Sequence, residues 1–384
     1  MNKKHFAITG GVATAAIIAV TLFNLIGPDW GLHIVIFDVG QADAIAIVSP
    51  DGDACIIDSG RWPRDGKKVA AFLKDQEANG IDEITSVNLA FATHYDADHI
   101  GGFKAMADDG ITFLASYDQG ISLKRKDKSV YGKYVTVAGD SNDNMAQDEG
   151  EDFFIRRKIG IGQQWHLGDA KIKCVSARGD TKGSDNDKNL EPSCIEIDEN
   201  PGSIALLITL GEFEFYTAGD QTSDDWKNKP DTEIAVIHSG ALGEESDVDV
   251  LKVNHHGSDT STGHDFVFAS DPEVAVISSK YTQQHKLPKM ISIKQLVENQ
   301  ALVYVTGDGH NPETGTFTDS NATNEDDGYL PSQENIINNA GDVHIFVAPD
   351  GMSYRVVARG VWKEFSAVDS DNPHVAPVAA LNPL

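Results

Sequence analysis

The fold is decided by the run Thr93-His94-Tyr95-Asp96-Ala97-Asp98-His99-Ile100-Gly101-Gly102. It places two histidines and two aspartates within six positions, directly after an apolar stretch at 87–92 that predicts a β-strand. Imidazole and carboxylate groups together at a strand end suit zinc, manganese or iron, and the two glycines allow close approach of the backbone. A solvated polar turn is the alternative, but it leaves the strand and the partner motifs later in the chain unexplained. The run therefore predicts a metal site.

Apolar runs of strand length, separated by turn residues, lie on both sides of this motif. The predicted strands are 32–37, 42–48, 54–57, 87–92, 170–175, 203–210, 212–218, 233–238, 250–253, 274–278, 302–306, 343–348 and 352–357. Helices are predicted at 67–76 and 291–299, and another is predicted to begin at 103. Hairpins in two successive halves, with helices between them, suit two packed sheets with helices outside.

The amino-terminal segment differs from the rest of the chain. Lys3 and Lys4 precede an almost uncharged stretch at 6–26, about as long as a membrane-spanning helix needs to be. A cleaved signal peptide and an uncleaved anchor both stay open, and the large residues before Gly27 favour the anchor. Either would place the remaining chain outside the cytoplasm. The predicted division is 1–28 as signal peptide or membrane anchor, 29–360 as the hydrolase domain, and 361–384 as a loose tail.

Charge and cysteine content narrow the function. The 59 acidic and 31 basic residues give a net charge of −28, which repels polyanions at long range. A generic nucleic-acid binder would show a basic stripe instead. Cys55 is predicted to be a buried thiol, whereas Cys174 and Cys194 could pair in an oxidising compartment. The spacing of the cysteines is not that of a zinc site.

The pattern His-x-Asp-x-Asp-His-x-Gly-Gly at 94–102 resembles the signature of the metallo-β-lactamase superfamily. More narrowly, it resembles the extracytoplasmic domain of the competence protein ComEC and its stand-alone relatives. Further segments resemble that subgroup in the same order, at 37–44, 56–60, 200–203, 217–220, 251–258 and 276–288. The resemblance implies a metallo-β-lactamase-like αββα sandwich, with two mixed β-sheets and outer helices.

The resemblance also implies a two-metal centre, whose ligands would be His94, Asp96, Asp98, His99, Asp220 and one of His255 and His256. His94 and Asp96 would hold the first ion, Asp98 and His99 the second, and Asp220 would bridge them. Neighbouring residues on a strand point to opposite faces, so the second member of the histidine pair would contact substrate or support the ligands. Which histidine is the ligand stays open.

Two departures from the superfamily pattern leave open whether the first metal position is occupied. Many superfamily members have a histidine at the position of Asp96, and a separate middle histidine where this chain has 200–203. The first ion would then be bound more weakly or completed by water. The implied cofactor is zinc, as one or two ions, and a carboxylate-rich site also suits manganese.

Six further polar residues are candidates for substrate contact or for support of the ligands: Asp38, Gln41, Asp43, Asp58, Ser258 and His285. The four in the first strands are predicted to brace the metal loops. Ser258 would bind phosphate or cap the following turn. His285 would donate to a substrate oxygen or lie on the surface.

These residues predict metal-assisted hydrolysis, in which a cation lowers the pKa of a water molecule from about 15.7 toward 7. Asp98 or Asp220 is predicted to orient that water. The predicted substrate is a phosphodiester outside the cytoplasm. The resemblance implies DNA degradation related to DNA uptake, whereas the acidic surface favours phosphodiesters of cell-wall polymers or choline-bearing groups. A β-lactamase and a non-enzymatic cell-surface binding module are less favoured alternatives, and no protein partner is deducible.

Overall fold

The computed structural model describes residues 29–120, 130–139, 155–181, 199–223, 231–243, 246–282, 284–318 and 333–368. The predicted signal or anchor segment at 1–28 and the predicted partner Cys194 lie outside these ranges. Within them, no helix combines the length and the apolar character that a membrane crossing requires.

The described residues form twenty strands: β1 (Leu32–Ile36), β2 (Ala44–Val48), β3 (Ala54–Ser59), β4 (Ser86–Val87), β5 (Leu89–Phe91), β6 (Thr112–Phe113), β7 (Ala115–Asp118), β8 (Ile155–Lys158), β9 (Gln164–Leu167), β10 (Ala170–Ala177), β11 (Asp180–Thr181), β12 (Ala205–Leu210), β13 (Phe213–Thr217), β14 (Val250–Lys252), β15 (Val274–Ile277), β16 (Leu302–Val305), β17 (Ile336–Ile337), β18 (Val343–Val347), β19 (Ser353–Ala358) and β20 (Val361–Ser366). The α-helices are α1 (Pro63–Lys74), α2 (Ala97–Ile100), α3 (Phe103–Asp108), α4 (Tyr131–Val137), α5 (Thr232–His238), α6 (His264–Ser270) and α7 (Met290–Glu298). Short 3-10 turns lie at Glu77–Asn79, Asn200–Gly202, Asn254–Gly257 and Gln333–Asn335.

Two large mixed sheets hold most of these strands. The first has the order β20-β19-β18-β1-β2-β3-β5-β7-β8, and the second β11-β10-β12-β13-β14-β15-β16-β17, with β9 also paired to β10. In each sheet, hairpin-linked strands pair antiparallel, and the strands of the other half pair parallel. A parallel pair needs a crossover connection, and the helices supply these crossovers on the outer faces. The small β4–β6 pair is parallel too.

The main core lies between the two sheets. Ile34, Ile45 and Phe91 of the first sheet share one buried cluster with Ile172 and Phe215 of the second. A second cluster packs helices α1, α3 and α4 on the outside of the first sheet, and a third packs α5, α6 and α7 on the second. Alternate residues of β2 enter different clusters, as the two-residue repeat of a strand requires. The predicted αββα sandwich is therefore confirmed.

The segment predicted as a strand at 233–238 is wrong, because it forms helix α5. Its Ile-Ala-Val-Ile composition favours a strand locally. However, it connects the parallel strands β13 and β14, and such a connection is usually a helix. The Asp231 carboxylate accepts a hydrogen bond from Ile234 N at 2.9 Å and so caps the first turn.

The carboxy-terminal prediction needs a correction at its boundary. Residues 361–366, predicted to begin a loose tail, form the edge strand β20, which pairs antiparallel with β19. Cys55 and Cys174 are both buried free thiols. The burial of Cys55 agrees with its prediction, whereas the predicted pairing of Cys174 involves Cys194, which lies outside the described residues.

Candidate metal centre

The candidate ligands meet where parallel strands of both sheets end. The His94 run follows β5, Asp220 follows β13, and the pair His255-His256 follows β14. The carboxyl ends of parallel strands lie at one edge of a sheet, where open α/β proteins commonly bind ligands. The two edges face each other across the sandwich and bring the three segments together.

The two glycines of the motif permit this approach. A β-carbon on Gly102 would lie 2.0 Å from the carbonyl oxygen of Ser59. One on Gly101 would lie 2.0 Å from the carbonyl oxygen of Arg61. Any larger residue would push the motif away from β3, so the predicted close approach of the backbone is confirmed.

The histidine pair lies on a strained turn rather than on a strand. His255 and His256 have φ angles of 47° and 55°, and Gly257 follows with 73°. Left-handed backbone at consecutive non-glycine residues is costly and is typical of functional sites. Glu233 stabilises the turn, since it accepts hydrogen bonds from Asn254 Nδ2 at 2.8 Å and Thr262 N at 2.7 Å. Burial raises the pKa of Glu233 to about 7.

The second metal position is compact. Nε2 of His256 lies 3.6 Å from Asp98 Oδ2 and 3.5 Å from Asp220 Oδ1. Nε2 of His99 lies 3.2 Å from the same Asp220 oxygen. A tetrahedral ion with ligands at 2.0–2.1 Å separates its ligand atoms by about 3.4 Å. Asp98, His99 and His256 offer ligand atoms within 4.8 Å of one another, and Asp220 Oδ1 lies near this ideal spacing from both histidines.

Unsatisfied atoms give independent support for that position. Nε2 of His94, His99 and His256 and Oδ1 of Asp220 are buried and have no hydrogen-bond partner. His99 Nε2 and Asp220 Oδ1 are close, but they lack hydrogen-bond geometry. Leaving one such atom unpaired costs about 1–3 kcal/mol. A cation at the second position would satisfy His99 Nε2, His256 Nε2 and Asp220 Oδ1, and one at the first position would satisfy His94 Nε2, so the residues present fit metal ions.

The first position is looser. Nε2 of His94 lies 3.9 Å from Asp96 Oδ2 and 3.9 Å from Asp220 Oδ2. His94, His99 and Asp220 can each offer a ligand atom within 4.8 Å of the others. The Asp96 side chain is 31% exposed, against 4% for Asp220. These longer separations agree with the prediction that any first ion would be bound less firmly.

The carboxylate of Asp220 faces both positions with different atoms. Its Oδ1 lies near His99 and His256, and its Oδ2 lies 3.6 Å from His255 Nε2 as well as near His94. This division supports the bridging role predicted for Asp220. It also separates the histidine pair: His256 faces the second position, whereas His255 faces the first and lies 3.2 Å from Asn200 Nδ2.

The Nδ1 atom of each ligand histidine contacts a polar group on the side of the ring away from the metal centre. Nδ1 of His99 donates to Asp58 Oδ2 at 2.7 Å, and that aspartate also accepts hydrogen bonds from Thr93. Nδ1 of His256 donates to the carbonyl oxygen of Ser278 at 3.0 Å. Nδ1 of His94 lies 3.3 Å from Ser203 Oγ. Such contacts fix the ring so that Nε2 points to the centre.

A buried ion pair lies beside the second metal position. Lys252 and Asp43 are fully buried and paired, and Asp43 Oδ1 lies 3.3 Å from His256 Nδ1. Burial alone would raise the pKa of Asp43, but Lys252, His256 and His99 lower it to about 2. Burial lowers the pKa of His256, but the carboxylates of Asp220 and Asp43 raise it to about 9. The centre thus stabilises positive charge, as a cation site must.

The remaining predicted residues contact neighbouring loops. The backbone N–H of Asp38 donates to Asp342 Oδ1 at 2.6 Å, and Gln41 Oε1 accepts from Thr282 Oγ1 at 3.1 Å. Ser258 Oγ lies 3.0 Å from Thr260 Oγ1, which in turn contacts His255. His285 is exposed. Of the four residues predicted to brace the metal loops, Asp43 and Asp58 contact ligand rings.

Sequence reasoning missed Lys252, Glu233 and Arg61. Arg61 Nη2 donates to Asp98 Oδ2 at 2.9 Å. A lysine inside the otherwise apolar strand β14, directly before the histidine motif, was a usable signal for Lys252. Glu233 and Arg61 carried no such signal, because the residues that they contact lie far from them along the chain.

No protein-family model matches the chain. It is 21% identical over 316 residues to ComE operon protein 3 of Bacillus subtilis, covering 78% of this chain and 35% of that protein. It is 25% identical over 282 residues to Recombination protein 2 of Haemophilus influenzae, covering 72% of this chain and 28% of that protein. The chain thus spans about a third of the length of these curated relatives.

Solved structures similar to the chain include the metallo-β-lactamase fold protein YhfI of Bacillus subtilis. That match has 9% identity and a TM-score of 0.40, and covers 71% of this chain and 96% of that one. A metallo-β-lactamase of Cronobacter sakazakii matches with 17% identity and a TM-score of 0.32, covering 56% and 73%. The two curated relatives confirm the ComEC-like resemblance predicted from the sequence. The His/Asp groups of the centre could hold a metal ion.

Proposed function

We propose that the protein is a metal-dependent phosphodiesterase that acts outside the cytoplasm. The observation that carries the proposal is a set of three buried Nε2 atoms and one Asp220 oxygen at the two metal positions, all without hydrogen-bond partners. Folding that leaves four such atoms unpaired is costly. Divalent cations at the two positions would offset that cost.

The proposed cofactor is zinc, with manganese as the second choice because carboxylates contribute to both positions. Asp98, His99 and His256 would hold an ion at the second position, and Asp220 would also reach the first position beside His94 and Asp96. When bound, such an ion supplies Lewis-acid polarisation and lowers the pKa of water toward neutrality.

The side chains of this chain would then place the water and the substrate. The Asp98 side chain is 11% exposed and that of Asp220 is 4% exposed. Asp98 is therefore better placed to accept a hydrogen bond from water that arrives from solvent. The rings of His99 and His256 stay oriented through Asp58 and the carbonyl oxygen of Ser278, so the centre is organised before substrate binds.

The substrate class rests on charge and on similarity. A net charge of −28 disfavours a long polyanion and leaves small phosphodiesters of cell-wall or choline-bearing groups as the better fit. The proposed location outside the cytoplasm rests on the uncharged stretch at 6–26, which follows Lys3 and Lys4. If that segment is retained, it would also contact the membrane.

DNA hydrolysis is the second candidate, and one observation favours it. Both curated relatives match over more than two thirds of this chain, and one of them is named Recombination protein 2. A short single strand could bind at a metal-lined cleft despite the repulsive field of the whole surface.

A substrate panel tests the proposal. The full chain, stripped with chelator and reloaded with zinc or manganese, is assayed on bis(4-nitrophenyl) phosphate, single-stranded DNA and a β-lactam. We expect metal-dependent cleavage of the phosphodiester, and restored activity only after reloading. Cleavage of the β-lactam alone would overturn the phosphodiesterase proposal. Metal binding without turnover of any substrate would favour the surface binding module.

A further inference from the structure

Arg61 is a basic side chain at the mouth of the metal centre. It lies between β3 and α1, and its Nη2 donates to Asp98 Oδ2 at 2.9 Å. The same Asp98 oxygen lies 3.6 Å from His256 Nε2. The Arg61 side chain is 38% exposed and that of Asp98 is 11% exposed. The guanidinium therefore lies between solvent and the second metal position, one carboxylate away from it.

The backbone of Arg61 is held in place. Its N–H donates to Asp65 Oδ2 at 3.1 Å, and that oxygen also accepts the N–H of Trp62 at 2.8 Å. Its carbonyl oxygen packs directly against Gly101 of the metal-binding run. The loop therefore presents the guanidinium at one defined place relative to the ligands. Pre-organisation of this kind reduces the entropy lost when a ligand binds.

The guanidinium has donors to spare. An arginine carries five N–H groups, and the described contacts of this guanidinium use one of them, toward Asp98. Its planar fork matches two oxygens of a phosphate better than a lysine ammonium does. The other basic group beside the centre, Lys252, is fully buried against Asp43 and is not accessible to substrate.

We propose that Arg61 forms an anion-binding subsite that takes a non-bridging phosphate oxygen of the substrate. The proposal rests on the phosphodiesterase function and deepens it. Asp98 Oδ2 holds the guanidinium beside the centre. When a cation binds, that oxygen shares its negative charge between the cation and the guanidinium. The guanidinium then turns its remaining donors to the phosphate. A local cation of this kind offsets the repulsion that a net charge of −28 imposes on an anionic ester.

Two variants and a matched control test the subsite in the full, zinc-loaded chain. Arg61→Gln removes the charge, and Arg61→Lys keeps the charge but loses the fork. Arg64→Gln removes a nearby arginine that is 80% exposed and contacts Asp65. The measurements are metal content by elemental analysis, the Kd of inorganic phosphate by calorimetry, and KM and kcat for bis(4-nitrophenyl) phosphate.

We expect Arg61→Gln to keep the metal stoichiometry and to weaken phosphate binding and raise KM roughly tenfold, with a smaller change in kcat. A charged hydrogen bond at a partly exposed site has about this value. Arg61→Lys should fall between this variant and the unmodified protein, and Arg64→Gln should match the unmodified protein.

Other results would overturn the subsite or separate it from the proposed function. If Arg61→Gln loses metal while its metal-loaded fraction binds phosphate normally, Arg61 only positions Asp98 and the subsite is wrong. Unchanged phosphate binding at full metal content overturns it too. If the unmodified protein cleaves no phosphodiester but its phosphate binding depends on Arg61, the proposed function fails and the subsite stands.

Discussion

The sequence motif at 93–102 contributes side chains to two different buried polar clusters. His94 enters the metal centre, and the next residue, Tyr95, enters a cluster that we call the tyrosine cluster. Its members are Tyr95, Asp118, Tyr131, Tyr134 and Arg156. Asp118 and Arg156 have fully buried side chains, with Nε and Oδ2 2.6 Å apart. Adjacent residues of one loop thus point into two sites of similar burial and charge.

The clusters differ in how their polar atoms are satisfied. Asp118 accepts hydrogen bonds from Tyr95 Oη at 3.0 Å, Tyr134 Oη at 2.9 Å and Gly120 N at 2.8 Å. Among the described residues, the buried side-chain atoms without partners include four in the metal centre and none in the tyrosine cluster. Burial and charge alone therefore do not mark a functional site. Unpaired ligand-type atoms that lie close together distinguish the metal centre from the tyrosine cluster.

The largest expected effect comes from Asp220→Asn. The neutral amide removes the bridging charge and turns an N–H toward one of the two positions. We expect kcat/KM on the cleaved substrate to fall at least about a thousandfold, which corresponds to roughly 4 kcal/mol. Steady-state kinetics with elemental analysis measures it, and Asp118→Asn in the tyrosine cluster is the control that should keep its metal. Activity at the unmodified level would show that the site is wrongly placed.

The next effect is on stability and belongs to the tyrosine cluster. Arg156→Met leaves Asp118 buried without its cationic partner, which typically costs about 3–5 kcal/mol. Urea denaturation should show this loss in the free energy of unfolding. Metal content per folded molecule should stay unchanged, because the hydrogen bonds described for Arg156 go to Asp118, Tyr95, Gly120 and Tyr131. Equal stability of the variant and the unmodified protein would contradict a structural role.

Added metal should stabilise the protein through one cluster only. An ion that binds the folded state at 100 times its Kd contributes about 2.7 kcal/mol. Thermal unfolding of chelator-treated protein, with and without zinc, should show a higher Tm with zinc. Tyr95→Phe should keep that increase and Asp220→Asn should lose it. An equal increase in both variants would mean that the ion binds elsewhere.

The smallest expected effect tests the support behind a ligand ring. Asp58 has a left-handed φ of 57°, which asparagine tolerates, so Asp58→Asn should fold. The amide N–H would oppose the Nδ1–H of His99 and favour the ring form whose Nε2 is protonated. We expect metal affinity to fall about 10–100-fold, measured by competition with a chelating dye. Asp38→Asn, on a neighbouring loop, should leave affinity unchanged, and the same fall in both variants would argue for a general loss of structure.

Local chemistry made part of this site predictable. Coordination restricts ligands to a few residue types, and the spacing of His94, Asp98 and His99 is set within one strand end and one helical turn. The hydrophobic runs also predicted most strands and two packed sheets with helices outside. The failure at Thr232–His238 has a specific cause. A β-prone segment became a helix because the parallel neighbours β13 and β14 require a crossover.

The sequence by itself determined which residue types could bind a metal and in what order the strands carry them. Only the tertiary structure decided that His256 faces the compact position and His255 the looser one, because two consecutive left-handed residues turn their rings apart. It also decided the pairs Asp43–Lys252 and Arg61–Asp98, which lie 209 and 37 residues apart along the chain. No local pattern encodes such pairs: the first depends on how the two sheets pack, and the second on the pairing of β3 with β5 within one sheet.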